Sequence, residues 1–168
     1  MSTVLEAELL VHLDQQINSA RHLLKLVLAQ GGAIRERDTE AVLARLADIQ
    51  NEMVRRGKLE SDRTGLLQRA GAALGLPATA VTLERLCQLV TPNAAKAAME
   101  RSAELRGLLS EIAREHGINR ALMRQELAFL SHLTRLIGQE AEPGYSPPTG
   151  ARPNSAPASA YRALDLQA

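Results

Sequence analysis

Apolar residues recur at spacings of three and four along three long stretches of this chain, with polar residues between them. Over residues 3–30, Leu10, Leu13, Ile17, Ala20, Leu24 and Val27 keep that spacing, which is the seam of a bundled or coiled-coil helix. Gly31-Gly32 then offers residues of the kind that end helices. A second helix is predicted over 38–73, capped by Asp38 or Thr39 and carried by Val42, Leu46, Ile49 and Met53. Its apolar stripe lapses between Arg55 and Thr64, in "RRGKLESDRTG", where each glycine costs about 1 kcal/mol relative to alanine in a helix interior. That stretch reads as solvated helix or as a frayed bend. Residues 74–90, "LGLPATAVTLERLCQLV", predict a proline-interrupted turn and a short helix capped by Thr79 or Thr82, plugging one end of the bundle.

The third long helix is predicted over 93–138. Its main seam is Leu105, Leu109, Ile112, His116, Asn119, Met123, Leu127, Leu130, Thr134 and Ile137. Gly117 is tolerated within it but weakens it. Asn119 on that seam reads as a register-fixing polar residue, as in coiled coils, so that Asn119→Leu is expected to raise thermal stability. A second stripe, Ile118, Leu122, Phe129, Leu133 and Leu136, lies roughly 100° round the helix. Upstream, that face carries Glu100, Glu104, Glu111 and Glu115. Only the C-terminal half of the helix is therefore apolar on two sides. Either this half meets two neighbouring helices, or part of the stripe forms a groove for an amphipathic helix from another protein. Five such side chains are worth on the order of 7 to 15 kcal/mol of gross burial, much of which association entropy would consume.

From Pro143 onward, "PGYSPPTGARPNSAPASAYRALDLQA" holds five of the chain's seven prolines with Ser, Ala and Gly. Such a segment buries too little apolar area to offset chain entropy. The expected architecture is all-α: an elongated antiparallel bundle or coiled coil of three long helices with a short extra helix over 1–140, then a flexible, disordered C-terminal tail over 141–168. Tyr161, Leu164 and Leu166 give that tail a short apolar edge, able to fold back as a mask over the groove.

Composition narrows the chemistry. Formal charge is +1 over 168 residues, and the only aromatics are Phe129, Tyr145 and Tyr161. Neither a strong basic field nor base-stacking platforms exist, so nucleic acid is not an expected partner. Cys87 is the one cysteine, which fits a reducing cytoplasm. The N-terminal "MSTVLEAELLVHLDQQ" carries Glu6, Glu8 and Asp14 through its apolar stretch, unlike a signal peptide, and no apolar run is long enough to span a membrane. His12, His22, His116 and His132 show no metal-ligand spacing. No phosphate-cradling loop or helical Glu-x-x-His pair occurs, and Glu111 with Glu115 reads as solvated charge. No enzyme activity, cofactor or metal is expected.

The order of these segments carries a resemblance. A long first helix, "LADIQNEM" leading to "LLQRAGAALGLP", then "INRALMRQELAFLSHLTRLI" and a Tyr-Pro-Gly tail ending in "YRALDLQA" resemble the FlgN family of flagellar export chaperones over nearly the whole chain. The most specific part is Asn119, Leu122-Met123, Leu127, Phe129-Leu130 and Leu133, then Tyr145. The resemblance implies a cytoplasmic helical chaperone that grips C-terminal helical segments of unassembled hook-filament junction (hook-associated) proteins. It would prevent their premature assembly and deliver them to the cytosolic domain of the type III export gate. Cargo is then expected on Ile118, Leu122, Phe129, Leu133 and Leu136, with Met123 as an adaptable contact. Tyr145 becomes the expected gate contact, although "YSPPTG" departs from the family's shorter Tyr-Gly-x-x-Gly arrangement. The alternative is a structural or regulatory coiled-coil protein that homodimerises through the same stripe.

Overall fold

The computed structural model describes residues 2–140 of the backbone and the side chains of residues 4–137. The segment 141–168, with Tyr145, Tyr161, Leu164 and Leu166, lies outside the described residues. Among the described residues there is no strand, and four helices account for nearly all of them. These are α1 (Ser2–Glu36), α2 (Thr39–Leu74), the short α3 (Leu83–Cys87) and α4 (Pro92–Glu140), with a 3₁₀ turn at Ala78–Ala80. The described residues form one compact unit ending at Ser131 and a second beginning at His132.

Within the first unit α1 is the central element. Most of the buried apolar residues belong to it, from Leu9, Leu13 and Ile17 to Val27 and Ile34. Leu10 and Leu24, expected on its seam, are only half-buried, and Leu9 and Leu23 take the inner positions. Glu8 pairs with Arg69 at 2.7 Å and Ser19 with Glu52 at 2.6 Å, so α2 runs antiparallel to α1. Asp14 pairs with Arg101 at 2.6 Å and Arg37 with Glu126 at 3.4 Å, so α4 runs parallel to α1. The result is an up-down-up bundle. Exposed pairs of this kind are worth about 0 to 1 kcal/mol each; the apolar seam carries the stability.

The helix ends follow local chemistry. Asp38 caps α2, its carboxylate accepting from the Ala41 amide at 2.9 Å, and Gly75 ends α2 in the left-handed region at φ 67°. Thr82 caps α3 by accepting from the Arg85 amide at 3.3 Å. Leu66, Ala70, Val81, Leu86 and Ala98 join Leu9 and Leu13 in one apolar cluster, so the turn and α3 do close this end of the bundle.

Two expectations change, and one open alternative is settled. α1 does not stop at Gly31-Gly32 but continues to Glu36. Its end is a Schellman motif: the Asp38 amide donates to Ala33 and the Arg37 amide to Ile34, with Arg37 itself at φ 58°. Residues 55–65 are continuous helix, the solvated-helix alternative. Of the stripe expected on α2, Val42 and Ile49 are half-buried, but Leu46 and Met53 are 42% and 53% exposed, and beside them the inward face is a polar series in which Arg45, Asp48 and Arg56 are half-buried and Glu52 is buried.

Glu52 is held by this polar seam. Ser19 donates to one carboxylate oxygen, His22 lies 2.8 Å from the other, and Arg55 is 3.6 Å away. Arg56 donates to the Ser19 hydroxyl at 3.3 Å. Burial pushes the Glu52 carboxyl up, but the hydrogen bonds from Ser19 and His22, with the charges of His22 and Arg55, outweigh it and hold the group below its ordinary value.

Asn119 corrects the stability expectation. It is buried, 1% exposed, and its amide nitrogen donates to the Val27 carbonyl of α1 at 2.8 Å and to Gln30 at 3.4 Å. A Cβ added to Gly31 would sit 2.6 Å from the Asn119 oxygen. Gly31 is therefore a close-approach site rather than a helix stop. Leucine at 119 removes the donor and leaves Gln30 facing an apolar group, at a cost of about 1 to 3 kcal/mol. Asn119→Leu and Gly31→Ala are expected to lower the melting temperature, read by circular dichroism; a rise for Asn119→Leu would return the residue to a purely register-fixing role.

The Glu52 shift sets a pH dependence. A depressed folded-state pKa contributes stability that is complete above the unfolded carboxylate value, about 4.3, and is lost as pH falls through the folded value. Urea denaturation from pH 6 to pH 3 should show this loss, and Glu52→Gln should flatten the slope while lowering stability at pH 6.

Candidate functional site

The geometry of α4 decides which of the two predicted stripes is available. Asn119 points at α1, and residues at threes and fours from it follow. Ala94 and Ala98 are buried, and Leu105, Leu108, Ile112, Glu115, Leu122 and Glu126 are half-buried. The true seam is rotated from the predicted one. Leu109 is 38% exposed, His116 is exposed, and Leu127 is 64% exposed, because each sits one residue past an inward position. Glu115 and Glu126 occupy seam positions that an apolar template passes over.

The predicted cargo residues separate accordingly. Ile118 and Leu122 are half-buried, as is Met123, so these belong in part to the packed bundle. Phe129 is 48% exposed. In the second unit, Leu133 is 37% and Leu136 44% exposed, and Ile137 joins them at 67%. Sequence reasoning assigned Leu127, Leu130 and Ile137 to the buried seam, yet they are exposed large apolar residues as well. The signal that could have found them is the end of α1. Its last cross-helix pair with α4 is Arg37–Glu126, so a helix as short as α1 cannot shield residues beyond that level. Every side chain of α4 from Leu127 to Ile137 is exposed. Tyr145 lies outside the described residues.

The other polar features have structural roles. His22 serves Glu52, and His132 lies 3.1 Å from Arg135. His12 is buried with Gln16 3.5 Å away, and burial lowers its pKa. Both line the floor of a cavity of about 520 Å³ whose walls include Leu9, Leu66, Leu86 and Leu105. Burial raises the Cys87 thiol, the opposite of an activated nucleophile. Among the described residues no group of His, Cys, Asp and Glu is placed to hold a metal ion, and no helix is long and apolar enough to cross a membrane. What these elements present together is exposed apolar helical surface on α4.

The FlgN protein family model matches residues 1–153, and the chain belongs to the FlgN family, the flagellar export chaperones. That family binds flagellar substrate proteins. No curated protein and no solved structure matches the chain.

The split of the stripe gives an expected difference in stability. Phe129→Asp places a charge where the side chain already meets water and should change unfolding free energy by no more than about 0.5 kcal/mol. Leu122→Asp buries part of a charge and should cost at least about 2 kcal/mol. Equal effects in chemical denaturation would contradict this division.

Proposed function

We propose that this chain is a cytoplasmic export chaperone for hook-filament junction proteins, and that it grips their C-terminal helical segments on the C-terminal part of α4. Residues 1–140 form the chaperone domain in this reading, and 141–168 is the arm that carries Tyr145 to the export gate. The observation that supports it is the exposure of large apolar side chains on α4 after Glu126, Phe129 in the first unit and Leu133 and Leu136 in the second. Ile118, Leu122 and Met123 contribute their outward edges. A cargo helix laid along this surface exchanges water for apolar contact at about 25 cal/mol per Å², and its own ordering cost keeps the complex reversible. Masking the segment that later drives polymerisation keeps the subunit unassembled until export.

Calorimetric titration with C-terminal helical peptides of the same organism's hook-filament junction proteins tests the reading. The wild type should bind in the micromolar to nanomolar range, and Phe129→Asp and Leu133→Asp should each weaken binding at least about tenfold, or 1.4 kcal/mol, with melting unchanged. Absence of binding by the folded wild type would reject the assignment. Tyr145→Ala should leave peptide affinity intact while reducing capture by the cytosolic domain of the export gate.

A further inference from the structure

The outward face of α2 carries no charge from Thr39 to Thr64. At about 100° per residue, Leu43, Leu46, Ala47, Met53 and Val54 fall within an arc roughly 120° wide centred on Gln50. The other positions in that arc are threonine, serine or glycine. All of them are exposed, with Leu43 at 60%, Met53 at 53% and Val54 at 77%. The opposite face, turned to α1, holds Arg45, Asp48, Glu52 and Arg56. Over this length α2 is the reverse of an ordinary amphipathic helix, with charge inside and apolar surface outside. A continuous exposed apolar band marks an interaction surface.

We propose that this face pairs with the same face of a second copy, antiparallel, about a two-fold axis at Gln50. In such an isologous contact residues at similar distances from the axis and on the same flank meet. Leu43 then packs over Gly57 of the partner, while Ala47 lies beside the partner's Val54 on one flank and Leu46 beside the partner's Met53 on the other. Leu43 faces a glycine and Val54 an alanine, which lets the two helices approach closely. The two Gln50 amides face each other, and each carries both donor and acceptor. Glu40 and Lys58 lie at the same angle on one flank, and both are exposed and unpaired within the chain. The two-fold sets each Glu40 beside the partner's Lys58, giving two complementary pairs on one flank. A foreign helix has no need of this symmetry of size and charge about one residue.

The extent of the face also fixes the strength. Thr39 to Thr64 spans roughly 37 Å at about 1.5 Å per residue. A contact strip ~10 Å wide gives about 400 Å² on each copy, near 800 Å² in total, below the roughly 1,200 Å² at which stable interfaces begin. The dimer is therefore weak and reversible.

Sedimentation equilibrium of the full chain, from micromolar to near-millimolar concentration, should show a monomer–dimer equilibrium. Leu46→Glu should abolish it with far-UV dichroism unchanged. Glu40→Lys and Lys58→Glu should each weaken association at least about threefold, and the double variant should restore it. Within one helix these residues stand about 27 Å apart, so restoration requires contact between chains. In a Cys87→Ala background, Gln50→Cys should form a disulfide-linked dimer on mild oxidation. A monomer throughout the range, a dimer indifferent to Leu46→Glu, or no restoration by the double charge reversal would each overturn the proposal. So would a monomer in which Leu46→Glu lowers affinity for the cargo peptides, since the face would then belong to cargo.

Discussion

The hydrogen bond from the Asn119 amide to the Val27 carbonyl fixes how α4 lies along α1. That carbonyl also serves the backbone ladder of α1, and its second lone pair takes the side-chain donor. Gly31, one turn further along α1, leaves the space that lets the amide approach so closely. A shift of α4 by one turn in either direction would place the amide against apolar side chains, where an unmet donor costs as much as the bond contributes. A buried polar group of this kind selects one register among several that apolar packing alone would tolerate. The rotation of α4, the half-burial of Ile118 and Leu122, and the exposure of Phe129 all follow from it.

A second polar constraint acts between α1 and α2. Glu52 is buried, yet no buried side-chain polar atom among the described residues lacks a partner, because Ser19, His22 and the two arginines that follow it converge there. Removing one member strands the others. The seam between these helices is thus apolar at the α3 end, where Leu66 and Ala70 meet Leu9 and Leu13, and polar towards Asp38. Several of the apolar residues that α2 carries in its N-terminal half, Leu43, Leu46, Met53 and Val54, are displaced outward, while Val42 and Ile49 stay half-buried.

The elements themselves were largely legible. Periodicity located all three long helices, and Asp38 and Thr82 marked the caps of α2 and of the short α3, since capping is a local interaction that sequence specifies directly. The end of α1 was not legible, because glycine serves both as a helix terminator and as a site of close approach, and only the position of Asn119 distinguishes them. The residue that does enter the left-handed region is Arg37, which no turn preference selects. Rotation was the other loss. Leu108 and Leu109, or Leu122 and Met123, satisfy the same spacing one residue apart, and the inward choice depends on Glu115 and Glu126 lying on the seam. The family was legible from the order of its segments; the extent of the accessible apolar surface was not, because it depends on where α1 ends.

Exposed apolar surface on a helix differs from exposed surface on a loop in what a partner must supply. The residues of α4 after Glu126 continue a helix already nucleated by packing, and propagation from an existing helix needs one hydrogen bond per residue fixed. Four leucines, with an Ala, a Glu, a Gln and an Arg, supply that stretch with strong helix formers. Its backbone bonds are therefore made before any partner arrives. The ordering cost of any complex at this surface then falls mainly on the partner. A preformed helix of this kind meets a partner without itself having to order.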